Sequence, residues 1–302
     1  MRGRETFDRT AEPDPRPAAP PSRNRNRERM RKGHRREYAA DRARGSISFP
    51  ERCDGALTDI GVFGAVSYRD LAEARFGGHP HTTRRAVNDW IRKGWVEEHR
   101  ATGPKGNSFK VLSLTREGVV EARRKASRRG IDPAQRIGTQ RMKPAEAGHD
   151  TAIYRAAWRE RQRLAEQGAA VKRVRLDAEL KSAVARASEA ARLKHGKQAA
   201  DDERRRIARE LSLPLDEHGK VLYPDAQIEY EDAGGRTGRV NVEAVSGNYR
   251  EPALRAKAAA GFAMHANGPA AAGLLRKLGL GGSDNGSWLR GPVDRDPASV
   301  EI

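Results

Sequence analysis

The sequence predicts an α+β protein with two folded domains set between unstructured ends. Residues 53–130 read as helical segments followed by two short strands around a Gly-containing loop, and residues 146–278 as a helix, three strands and a helix. Residues 1–52, with stretches such as Pro13-Asp14-Pro15-Arg16-Pro17 and Arg23-Asn24-Arg25-Asn26-Arg27, hold too few apolar side chains to offset chain entropy. A length of 302 residues admits one or two domains plus tails.

In the first domain, Ala56–Val66 reads as a short apolar helix. Ser67 caps a second helix, Tyr68–Phe76, with Asp70 in its first turn. Gly77-Gly78-His79-Pro80 reads as a turn. Thr82–Lys93 is a third helix, with Ala86, Val87, Trp90 and Ile91 on one face and Arg84, Arg85, Asn88 and Arg92 largely on the other. Gly94 ends it. Residues 95–99 and 110–114 are strands around the loop 102–107, and Thr115 caps a last helix through Arg129.

Three helices and a hairpin form the winged helix-turn-helix plan, in which the third helix enters the major groove and the loop touches the flanking backbone. Arg84, Arg85, Asn88 and Arg92 are then the expected readers, since Arg suits guanine edges and Asn adenine edges, with Lys105 as the basic wing residue. Winged helices also serve as protein-binding modules, and Asp89 weakens the positive face.

Residues 131–145 read as a basic linker. The second domain, 146–278, opens with a helix over 147–167, followed by a strand over 171–180 whose polar face carries Asp177 and Glu179. Residues 181–210 read as a charged helical insertion. Ala226, Ile228 and Tyr230 then alternate with Asp225, Gln227, Glu229 and Glu231, and Val240, Val242 and Ala244 with Arg239, Asn241 and Glu243. This period of two marks half-buried strands joined by the turn 232–238. Matching the apolar faces puts Asp225 and Glu243 together on the other face. A register centred near Gly235 makes them diagonal neighbours, roughly 7–8 Å apart, and sets Val245 opposite Asp225. Carboxylates so placed can share a divalent cation. Residues 252–265 read as a helix bearing Arg255 and Lys257, and residues 279–302 as a Gly-rich unstructured tail.

The formal net charge is +18 and the pI about 10.5, which favours a polyanionic partner, DNA or RNA, over a merely solvated basic surface; with the winged-helix plan, the expected partner is double-stranded DNA. No apolar run approaches the ~18 residues of a membrane span, and Met1-Arg2-Gly3-Arg4-Glu5 lacks an apolar signal core, so the expectation is a cytoplasmic protein without membrane insertion. The single cysteine, Cys53, excludes an internal disulfide and a cysteine-built zinc site.

The helix-strand-strand-strand-helix order, with Pro224-Asp225 on one strand and Glu243-Ala244-Val245 on the next, resembles the restriction-endonuclease fold and its PD-(D/E)XK signature. With the winged-helix segment, the chain resembles the replication-relaxation family of plasmid and integrative-element proteins, and the related mobilisation relaxases built on the endonuclease fold. The shared run takes in Leu57-Thr58-Asp59-Ile60-Gly61, residues 84–96 from Arg84-Arg85-Ala86 to Gly94-Trp95-Val96, Leu112-Ser113-Leu114-Thr115-Arg116-Glu117-Gly118, His149-Asp150, Leu176-Asp177-Ala178-Glu179-Leu180 and Pro224-Asp225. The resemblance covers roughly residues 55–266. It implies plasmid replication or conjugative mobilisation, with magnesium held by Asp225 and Glu243 and nicking at an origin as the enzymatic version; Asp177 and Glu179 either complete the metal shell or only occupy the polar face of their strand. A second copy of the chain and relaxosome or replication proteins are the protein partners it implies. One position departs from the signature: Val245 stands where a nuclease places Lys. Either Lys257 on the following helix supplies that charge, with Lys181 a further source, or catalysis is lost and the chain is a non-catalytic regulator or accessory DNA binder.

Overall fold

The structure, a computed structural model, describes residues 47–103, 106–139, 143 and 145–280. The expected arm and tail fall outside these, apart from Ile47–Arg52 and Gly279–Leu280. The described residues form a mixed α+β arrangement of eight helices and two sheets, and all belong to one unit that begins at Ile47.

Helix α1 runs Phe49–Phe63, not from Ala56. Its start is set by a capping box: Glu51 N donates to Ser48 Oγ, and Ser48 N to Glu51 Oε2 at 2.7 Å. This signal lay inside the segment assigned to the arm. Strand β1 (Val66–Ser67) leads into α2 (Tyr68–Phe76), capped by Ser67 as expected. Helix α3 spans Pro80–Arg92, with Pro80 in its first turn rather than in the preceding loop, a position where its missing N–H costs nothing. Strands β2 (Val96–Thr102) and β3 (Ser108–Leu114) pair antiparallel, and β1 pairs with β3, giving the order β1-β3-β2. Helix α4 (Arg116–Arg128) starts at Thr115, which accepts from Gly118 N. At Gly118 a Cβ would lie 1.9 Å from the Trp95 carbonyl oxygen, so only glycine fits there.

The segment expected to be a linker is stitched into the fold. Ile137 is buried, Gly138 N donates to Gly61 O at 3.0 Å, and the Gln135 amide brackets the Val174 backbone with two hydrogen bonds. Ile131 packs against the same core. Two isoleucines in a basic, Gly-punctuated stretch suffice to bind it down.

Helix α5 (Ala147–Glu166) follows, then β4 (Ala170–Leu176), α6 (Asp177–Glu210), β5 (Ala226–Glu231), β6 (Thr237–Val245), α7 (Glu251–Ala259), β7 (Ala263–Ala266) and α8 (Pro269–Lys277). The second sheet has the order β4-β5-β6-β7, antiparallel except for the parallel β6–β7 pair. Helix α5 buries Ala152, Ala156 and Ala157 between the two sheets. One apolar cluster therefore runs from Leu57, Ile60 and Leu112 through Tyr154 to Ile228 and Val242. Small side chains around α5 let both sheets approach it.

Three sequence expectations are corrected here. The first strand of the second sheet ends at Leu176, so Asp177 and Glu179 start a helix, where acidic side chains suit the positive end of the dipole. The helix expected over 252–265 breaks at Ala260-Gly261, and β7 follows it; Gly261 takes φ 78°. Ile91, assigned to the buried face of α3, is 39% exposed.

Candidate functional site

The register of β5 and β6 places Ala226 opposite Val242. Asp225, one residue before β5, therefore faces Glu243 directly, rather than Val245 as the expected register has it. Residues directly opposite have Cβ atoms about 4.5–5.5 Å apart, closer than the diagonal expected from the sequence. The shared side of the two carboxylates follows as expected. Asp225 is anchored by its Oδ2, which accepts from Ala244 N at 2.8 Å, while its backbone oxygen accepts from Asp177 N at 3.1 Å.

Glu243 is 1% exposed. Its Oε1 accepts from Tyr249 Oη at 2.5 Å and lies 2.7 Å from Lys257 Nζ. Its Oε2 is buried without a hydrogen-bond partner among the described residues. Burial raises the carboxyl pKa above the ordinary glutamate value, and the Asp225 charge adds to this against the opposing pull of Lys257. Burial also raises the Tyr249 hydroxyl pKa, so that group stays a proton donor. On the outer side, His149 Nε2, in the first turn of α5, lies 3.4 Å from Asp225 Oδ1. The Asp225 carboxylate raises the imidazole pKa above its ordinary value, outweighing burial.

Val245 is not at the centre of the site. It is buried with Leu254, Ala271 and Leu275 in the apolar cluster beneath α7 and α8, where a lysine would bury an ammonium. The ammonium beside Glu243 comes instead from Lys257 in the last turn of α7. The Asp177 backbone meets Asp225, but its carboxylate pairs with Lys181 one helical turn on. In the sequence, His149 stands out only with Asp150 at a helix start, where a structural role and a place near the site are both open, and nothing marks Tyr249.

The donor set fits a hard divalent cation in part. Asp225 and Glu243 supply opposed carboxylates, and Glu243 Oε2 has an unused lone pair. Among the described residues, no group of three or more His, Cys, Asp or Glu side chains converges as a metal shell. Magnesium commonly takes one or two carboxylates and completes its octahedron with water and substrate phosphate.

On α3, Thr83, Ala86, Val87 and Trp90 face the core. Arg85, Asn88 and Arg92 are exposed, whereas Arg84 is half-buried. Arg92 Nη2 donates to Asp89 Oδ1 at 3.2 Å, and Lys93 holds the other oxygen of Asp89. Lys105 lies outside the described residues.

No family model, curated protein or solved structure matches the chain. Among the described residues no helix is long and apolar enough to cross a membrane.

Proposed function

We propose that this protein binds duplex DNA through α3 and cuts one strand at the Asp225–Glu243 pair, as a replication or mobilisation protein of a plasmid or integrative element. The observation that carries the nicking reading is the buried Glu243 carboxylate. It faces Asp225, holds one unpartnered oxygen, and has the Lys257 ammonium 2.7 Å from the other. The helix-strand-helix-helix-strand-strand order of residues 49–114 supports the winged-helix reading, and the α5-β4-β5-β6-α7-β7 order supports the endonuclease-like one.

Asp225 and Glu243 would hold magnesium, which activates a water and neutralises charge at the scissile phosphate. Lys257 stands beside the pair, 2.7 Å from Glu243 Oε1, where it would take the role that the motif lysine plays at a developing phosphorane charge. Tyr249 fixes the Glu243 rotamer by donating to Oε1. His149 holds the outer oxygen of Asp225 and stands ready to move a proton at Nε2.

Magnesium-dependent conversion of supercoiled plasmid to open circle tests this, with loss expected in Asp225→Asn and Glu243→Gln while duplex binding persists. Arg85→Ala and Asn88→Ala should each weaken duplex binding by about 1–3 kcal/mol. A second reading, a non-catalytic DNA binder, is favoured by the internal pairing of the same groups: Lys257 on Glu243 and His149 on Asp225. Duplex binding without nicking in magnesium would select it.

A further inference from the structure

The charged segment after β4 has a shape that its sequence does not announce. Helix α6 folds back on itself at Gly196, which takes φ 83° and ψ −172°. Ser188 Oγ donates across the bend to Ala200 O at 3.1 Å. Leu180, Val184 and Ala208 pack with Leu213 and Val221, fixing both arms to the segment that leads into β5.

The returning arm and the turn at Asp216–Lys220 line a groove of about 460 Å³, walled by Arg204, Arg205, His218, Lys220 and Tyr223 with Asp201 as its one acidic side chain. Arg204, Arg205 and Lys220 are exposed. Asp201 takes up part of the Arg204 charge at 2.8 Å, and Asp202 lies 3.5 Å from Arg205; Lys220 adds a third cation. The Tyr223 ring lines the groove, with the Lys181 ammonium 5.8 Å from its centroid. Cations spaced around an aromatic ring are the chemistry of single-strand binding, in which phosphates meet the charges and a base stacks on the ring. The volume is that of a site for one or two nucleotides, not for a duplex.

Tyr223 is close in the chain to the Asp225 carboxylate. Only Pro224 separates Tyr223 from Asp225, so their Cα atoms are at most about 7 Å apart. A strand stacked on Tyr223 would therefore pass near the segment that carries Asp225.

We propose that the groove between the α6 hairpin and the Asp216–Lys220 turn grips single-stranded DNA, with Arg204, Arg205 and Lys220 on phosphates and Tyr223 stacking a base. What the gripped strand is held for rests on the nicking reading; the grip itself does not.

Anisotropy of a labelled oligothymidine, with the whole chain in metal-free buffer containing EDTA, tests the proposal. The variant Arg204→Ala/Arg205→Ala/Lys220→Ala should bind at least tenfold more weakly, with a salt slope shallower by about 2, near 0.7 for each lost phosphate contact. Tyr223→Ala should lose about tenfold and Tyr223→Phe should restore it. The single variant Lys220→Glu, on an exposed turn, repeats the charge test where folding is not at stake. Affinity for a blunt duplex should be unchanged in all of them.

A wild-type chain that does not bind the oligonucleotide, unchanged binding in the triple variant or Tyr223→Ala, or an equal loss on duplex would overturn the proposal. Strand binding with no plasmid nicking would remove the reaction and keep the groove. Nicking with unaltered oligonucleotide binding in the variants would remove the groove and keep the reaction.

Discussion

Two buried carboxylate centres in this protein are built on opposite plans. Asp59, on α1, is 1% exposed and surrounded by donors. Arg75 binds it through two nitrogens at 2.6 and 2.8 Å, Arg161 at 2.9 Å and Tyr154 Oη at 3.0 Å. Burial alone would raise its pKa, but the two guanidinium groups outweigh this and hold it at about 2. Glu243 is equally buried, yet it faces a second carboxylate, keeps one oxygen unpartnered, and has a raised pKa. The first centre joins α1, α2 and α5 and is complete in itself. The second sets Lys257 and His149 against two facing carboxylates and leaves Glu243 Oε2 without a partner among the described residues. A buried acid thus reads as structural or functional according to whether its surroundings already neutralise it.

The largest effect that separates the two centres is Asp59→Ala. Removing the shared acceptor leaves Arg75 and Arg161 buried without their partner, and urea denaturation should show a loss of about 3–5 kcal/mol. A loss near zero would make the network ornamental. Acid titration gives the next largest. Because the folded-state pKa of Asp59 lies below its ordinary 3.8, its stabilisation is full above that value and vanishes as pH falls through about 2. The amount is about 2 kcal/mol, and Asp59→Asn should flatten that part of the stability–pH curve. Tyr249→Phe removes one donor from Glu243 and should cost about 1 kcal/mol, since Lys257 remains. Asp225→Asn is the smallest in stability, within about 1 kcal/mol, because an amide oxygen can still accept from Ala244 N and the repulsion on Glu243 is relieved. A large loss there would place Asp225 with Asp59 among the structural acids.

Much of this arrangement was legible in the residues, and the failures have physical causes. Period-two alternation located β5 and β6, and Asp232 and Gly235 announced their turn: Asp232 Oδ1 accepts from Gly234 N and Arg236 N, and Gly235 takes φ 78°. Ser67 and Thr115 marked helix starts that the structure keeps. The hairpin is centred one residue earlier than Gly235, so the pairing differs from the expected register by two residues; this exchanges Val245 for Glu243 opposite Asp225 and keeps the faces. Lys257, one of two lysines that the sequence offers in place of Val245, lies 2.7 Å from Glu243 Oε1. The contact of His149 with Asp225 could not be read from the sequence, because the two lie 76 positions apart in the chain. The shared core around α5 was hidden for a related reason. Its alanines pack equally well against two sheets as against one, and contacts such as those of Asp59 with Tyr154 and Arg161 and of Asp70 with Arg155 reveal that both halves use the same helix.

The central claim is that the Asp225–Glu243 pair awaits a cation that the Asp59 centre does not need. Thermal melting in a magnesium titration measures it most directly, because a ligand that binds only the folded chain raises its stability by RT ln(1 + [L]/Kd). The wild-type chain should melt at progressively higher temperature as magnesium is added, and Asp225→Asn should not respond. Equal shifts in both proteins, or no shift in the wild type, would contradict the account.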